Sequence, residues 1–143
     1  MLYEKNEYGY ELTKESVETA ITIQIEKKIT YDDLENILVT ALEGGINYWA
    51  GIENQLPDWN DKPKDMPLSQ YALEILISGK TIKFFDTLNS DNDIDWILTL
   101  EKLLNGIKLN CQNRPDDCDI NNGDALTADC IIQYALFNNI IYG

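Results

Sequence analysis

Leu34, Ile37, Leu38, Ala41 and Leu42 recur at intervals of three and four residues, which gathers apolar side chains into one stripe along an α-helix. Thr30 precedes the stripe as an N-cap. Asp32, Asp33 and Glu35 suit the positive end of the helix dipole, and Gly44 and Gly45 supply a left-handed C-terminal stop. Just upstream, Ile21, Ile23 and Ile25 alternate with Thr22, Gln24 and Glu26, which predicts a half-buried strand over residues 20–29. Past the glycines, Tyr48 and Trp49 are expected to fold back on the sheet or line a pocket.

The helical period returns at residues 68–78, where Leu68, Ala72, Ile75 and Leu76 share a side, Pro67 sits at the first turn and Gly79 lies just past the end. Residues 80–88 read as a strand, 89–93 as a turn and 94–99 as the returning strand, together a hairpin. Thr99 then caps a helix with Leu100, Leu103, Leu104 and Ile107 inward, Gly106 as a local weak point and fraying at Asn110. Residues 126–141 are apolar on nearly all sides, which predicts a helix buried in its own core or in an oligomer interface. Residues 51–67, with three prolines and Trp59, keep no period and read as a long surface loop. The order predicts an α+β fold: a small antiparallel sheet (the N-terminal strand plus the hairpin) packed with about four helices.

Composition bounds this picture. The 143 residues, 44% of them hydrophobic, suffice for a single domain, 1–143, with one core. Residues 1–15, dotted with Tyr3, Tyr8 and Tyr10, form a possible docking arm. No apolar run reaches the roughly 18 to 20 residues that span a bilayer, and the first residues lack a signal-peptide order, so a cytoplasmic location is expected, with no membrane partner. Three cysteines, Cys111, Cys118 and Cys130, in such a chain are expected to be reduced thiols.

Charge changes the functional reading most. Twenty-five acids against 11 bases give a net charge of −14, which repels nucleic acid and favours basic partners. Arg114 is the only arginine, so any phosphate site must rest on it, on lysines, on backbone N–H groups or on helix N-termini. The absence of histidine removes Ser-His and Cys-His nucleophile pairs, and the spacing of the cysteines does not suit zinc. Residues 117–124 (DCDINNGD) place Asp117, Asp119 and Asn121 like the first ligands of a calcium loop. However, Asn122 stands where glycine is needed and Ala128 where a bidentate glutamate is needed, leaving an acidic solvated loop. No catalytic residue, cofactor or metal is assigned, and binding is favoured over catalysis. The aromatics are more informative. Phe84 and Phe85 point to opposite faces of their strand, and an exposed ring beside Asn89, Asn92 or Arg114 would make a base-stacking platform with polar readers.

The stretches ALEGGINYW (residues 41–49), LTLEKLLNGIKL and ADCIIQYALFNNIIYG (residues 128–143) resemble a family of small proteins carried by phages and prophages of Gram-positive bacteria. In size and layout the chain is similar to the Thoeris anti-defence family, oligomeric sponges that bind cyclised ADP-ribose immune signals without cleaving them. That resemblance implies a non-enzymatic homo-oligomer, a dimer or higher, with pockets built from the hairpin and the C-terminal helices and a cyclic nucleotide signal molecule as partner. It makes Phe84 or Phe85 the stacking residue, Asn92 the hydrogen-bonding residue and Arg114 the phosphate ligand; Trp49 joins them as a pocket candidate. One arginine beside Lys83, Lys102 and Lys108 is a departure from what two phosphates ordinarily invite, and oligomerisation would answer it by bringing a second Arg114 into a shared pocket. The alternative reading is an acidic nucleic-acid mimic that inhibits a host defence nuclease of the anti-CRISPR or anti-restriction type.

Overall fold

Helix α1, Tyr31–Thr40, begins where its sequence says it should. The Thr30 hydroxyl accepts from the Asp33 N–H while the Asp33 carboxylate accepts from the Thr30 N–H, a reciprocal capping box that satisfies two orphan donors. Its far end differs from expectation. Residues Ala41–Gly45 form one wide π-turn, closed by the Ile46 N–H donating to the Ala41 carbonyl at 3.0 Å, and Gly44 is extended rather than left-handed. Gly45 is required for proximity instead: a β-carbon there would lie 2.9 Å from the Ala125 carbonyl oxygen.

The computed structural model describes residues 4–5, 11–12, 23–89, 91, 93–119 and 123–143. It is an α+β fold of four α-helices and a three-stranded antiparallel sheet in the order β3-β4-β5, with a separate two-residue ladder of β1 (Glu4–Lys5) on β2 (Glu11–Leu12). That ladder lies within the expected docking arm, whose other residues fall outside those described. Strand β4 (Ile82–Asp86) and strand β5 (Asp95–Leu98) make the predicted hairpin. The third strand is β3, Ala50–Ile52, and not the N-terminal segment. Ile23 and Ile25 are 74% and 79% exposed, and residues 23–29 pair with no strand among those described. Alternation marks a chain that can lie in a sheet, but the place beside β4 is taken by the segment that follows buried Trp49. Gly51 suits that place because the Phe85 ring lies where its β-carbon would be, 2.5 Å from the nearest ring carbon.

Helix α2 (Leu68–Ile77) starts after Pro67 and stops at Gly79, whose φ of 88° lies in the left-handed region glycine favours. In the loop before it, Pro57–Trp59 forms a 3₁₀ turn that buries Trp59 against Tyr71. Helix α3 (Leu100–Asn113) is capped by the Thr99 hydroxyl and runs past Asn110 instead of fraying there; Leu104 faces outward, 42% exposed. Helix α4 is Ala125–Phe137, capped by the Asp124 carboxylate and ended by left-handed Asn138, shorter than expected but buried from Thr127 to Ala135.

Ile82, Phe84 and Leu98 turn one face of the sheet into a core shared with Leu38, Leu73, Leu76, Leu103, Ile131 and Ile132. Gly106, expected to weaken α3, is where α3 and α4 touch, since a β-carbon there would sit 2.5 Å from the Ile131 carbonyl oxygen. Along β5 the outward carbonyl of Ile97 accepts a 2.8 Å hydrogen bond from the Lys102 amine. Cys111 and Cys118 are joined in a disulfide that ties the end of α3 to the following 3₁₀ turn, Pro115–Asp117, correcting the expectation of reduced thiols. Cys130 remains a buried thiol, and burial raises its pKa. Among the described residues no helix is long and apolar enough to cross a membrane.

Candidate functional site

Two features stand out: a closed polar and aromatic nest around Trp49, and an open groove on another side of the π-turn. The nest is centred on a buried carboxylate. Asp129 projects from α4, an otherwise apolar helix, and its Oδ1 accepts from the Trp49 indole at 2.8 Å and from the Gln133 amide at 2.9 Å. Its Oδ2 accepts from the Tyr48 hydroxyl at 2.6 Å. Three donors on one carboxylate let it be buried without a cation, because each replaces a lost hydrogen bond to water. Desolvation, then the hydrogen bond and charge of Asp129, push the Tyr48 phenol up to about 12.

Gln133, one helical turn on, is wholly buried and makes four hydrogen bonds. Its Oε1 accepts from the N–H groups of Ile141 and Tyr142, both at 2.8 Å; its Nε2 donates to Asp129 and, at 3.2 Å, to the Tyr142 carbonyl. The segment after α4 is thereby drawn back over the sheet, and the Tyr142 ring lies on Trp49 with centroids 4.9 Å apart and planes 12° from parallel. Trp96 and Phe137 close the pile, both tilted against Trp49 at 5.6 Å and edge-on to one another at 5.1 Å. Burial, then the charge of Asp86, raises the Tyr142 pKa.

The groove encloses about 340 Å³ between the π-turn, β3 and the start of α2. Leu42, Ile52, Pro67 and Leu68 give it apolar walls, and Glu43, Asn54 and Ser69 its polar points, with the Ser69 hydroxyl donating to the Glu43 carboxylate at 2.8 Å. Among the described residues no side chain caps the first turn of α2, leaving the N–H groups of Leu68 and Ser69 beside the groove without a side-chain cap.

Comparison with family models, curated proteins and solved structures finds no match. What the chain can do is therefore argued from its own residues.

The residues singled out from the sequence do not converge. Trp49 is fully buried beneath Tyr142, and Phe84 is core. Phe85 lies on the other face of β4, half-buried over Gly51. Asn92 lies outside the described residues. Arg114 stands at the far end of α3, a 14-residue helix and so roughly 20 Å along from the sheet. There its guanidinium donates to the Asn110 side chain at 3.1 Å and pairs with Asp117, acting as a clamp on the turn the disulfide closes. Asp117 is thus held by Arg114 and Asp124 by its cap, and among the described residues no group of three or more acids or cysteines is placed to hold a metal ion. Asp129, Gln133 and Tyr142 were missed by sequence reasoning. Their signal was present as an acid and an amide four residues apart in a helix with no lysine or arginine.

Proposed function

We propose that the protein is a non-catalytic binding protein, a phage-encoded anti-defence factor that sequesters a nucleotide immune signal of the cyclic ADP-ribose type in the host bacterial cytoplasm. The observation that carries this reading is the groove. Its 340 Å³ falls in the range of small-molecule sites, about 300 to 1,000 Å³. The uncapped N–H groups at the start of α2 supply what the single arginine does not, an anion site made of backbone donors on the positive end of a helix. Leu42, Ile52 and Leu68 offer apolar contact for a base, while Glu43 and Asn54 are suited to ribose hydroxyls. The Ser69 hydroxyl donates to the Glu43 carboxylate and the sequence holds no histidine to pair with it, which supports sequestration over cleavage. The resemblance in residues 41–49 and 128–143 supports the same reading.

Calorimetric titration with cyclic ADP-ribose isomers tests it. Binding at micromolar concentration or tighter is expected, with the ligand recovered intact by chromatography, and an Asn54→Trp variant, which fills the open groove from an exposed position, should lose it. Absence of binding across the isomers would refute the reading. The acidic-mimic alternative rests on the net charge of −14, and its carboxylates are carried by α1, the loop after β3, the hairpin and the α3–α4 connection alike. Inhibition of a nuclease that fades steeply with added salt would favour it instead. Mass in solution tests the homo-oligomer that a sponge of this type implies.

A further inference from the structure

The segment after α4 satisfies Gln133 and Trp49 in an unusual combination. One residue, Tyr142, gives its carbonyl to the Gln133 Nε2, its N–H to the Gln133 Oε1, and its ring to the face of Trp49. A buried carboxamide that both donates and accepts along one edge, beside an aromatic face that holds a near-parallel ring, is the arrangement by which glutamine reads adenine. Its oxygen takes the 6-amino N–H and its nitrogen donates to the adjacent ring nitrogen. Adenine presents that donor and acceptor pair on two of its edges, whereas guanine shows only acceptors on its N7 side. The other walls suit a base as well. Trp96 and Phe137 are tilted against the Trp49 ring and half-buried, and Asp129 fixes the Gln133 amide so that its oxygen faces the segment.

We propose that Tyr142 and its backbone occupy an adenine-binding slot, and that an adenine nucleoside enters it by displacing residues 139–143 from Gln133 and Trp49. This slot shares no lining residue with the groove, so it stands or falls separately from the sequestration reading. Entry exchanges three hydrogen bonds to the segment, from the N–H groups of Ile141 and Tyr142 and to the Tyr142 carbonyl, for the amino and ring-nitrogen contacts of the base, and one stacked ring for another. The Asp129 bonds to Tyr48 and Trp49 stay in place, keeping the floor of the slot rigid.

The test uses adenosine and purine riboside, which differ by the 6-amino group, on the full chain and on Tyr142→Ala. With the stacked ring removed, Tyr142→Ala should bind adenosine at least 10-fold more tightly than the parent, followed by quenching of Trp49 fluorescence. Purine riboside should bind the variant at least 10-fold more weakly than adenosine does, because the Gln133 oxygen loses its donor. In the parent chain, millimolar adenosine should release the amide protons of Ile141 and Tyr142 to faster hydrogen exchange while those of α4 stay protected. A folded Tyr142→Ala that binds adenosine no better than the parent overturns the proposal. So does equal affinity for the two nucleosides. Should the variant fail to fold, unchanged protection of Ile141 and Tyr142 at saturating adenosine in the parent overturns it equally.

Discussion

Gly106→Ala sets two well-measured effects against each other. In an isolated helix, alanine is favoured over glycine by about 1 kcal/mol, so residue 106, in the middle of α3, should welcome it. In this fold the new β-carbon would stand 2.5 Å from the Ile131 carbonyl oxygen and 2.8 Å from both the nitrogen and the β-carbon of Ala135. All three atoms are fixed in α4, so no side-chain rotation relieves the contact. The helices must separate by roughly 1 Å, a gap that forfeits a quarter to a half of each affected contact between them, including those of buried Leu103, Ile107 and Ile131. Overpacking of this kind costs about 1 to 3 kcal/mol, and more where backbone opposes it. Two of the three opposing atoms are backbone, which puts the cost in the upper part of that range, about 2 to 3 kcal/mol, and subtracting the propensity gain leaves an expected net loss of about 1 to 2 kcal/mol, a fall in Tm of roughly 3 to 8 °C. Urea denaturation followed by circular dichroism and by tryptophan fluorescence measures it. A variant as stable as the parent, or more so, would show that α3 and α4 do not cross at Gly106.

Removing the buried carboxylate by Asp129→Leu leaves the Trp49 indole, the Tyr48 hydroxyl and one Gln133 N–H without their acceptor, and should destabilise by about 2 to 5 kcal/mol in the same denaturation assay. Alkaline pH should act on the same nest. Because Tyr48 holds its proton to about 12 in the fold against 10.0 outside it, its contribution is complete below pH 10 and is lost as pH rises from there towards 12. Melting curves of the parent should fall in that window more steeply than those of Tyr48→Phe. Thiol titration in denaturant should count one cysteine before reduction and three after it, and reduction should lower stability by roughly 2.5 kcal/mol, the loop-entropy value for a ring of about eight residues. A count of three without reductant would remove the Cys111–Cys118 link.

What could be read from the sequence was local. Thr30 with Asp33, Thr99, and Pro67 with Gly79 each mark a helix end through partners at most a few residues away, and the hairpin needed only two alternating runs and a turn. The N-terminal strand failed because alternation describes a side-chain pattern and says nothing of which backbone lies alongside. The sheet took Ala50–Ile52, a short segment with a glycine at its centre, chosen by the fit of Phe85 over Gly51. Gly45 and Gly106 looked like stops or weaknesses because their neighbours, Ala125 and Ile131, are distant in sequence. The candidate site was least legible for the same reason. Asp129 draws two of its three donors, Tyr48 and Trp49, from 81 and 80 positions away, and the meaning of Tyr142 depends on a turn at Asn138 that brings the chain back over Trp49.

The Lys102 amine on the Ile97 carbonyl bears on how copies of this protein can meet. A strand arriving along the outer side of β5 would find an ammonium already seated on the acceptor it needs, and would have to strip and bury that charge to pair. The sheet therefore has a stopper at its hairpin edge. Continuous growth strand upon strand, the route from small open sheets to fibres, meets the cost of desolvating that ammonium there.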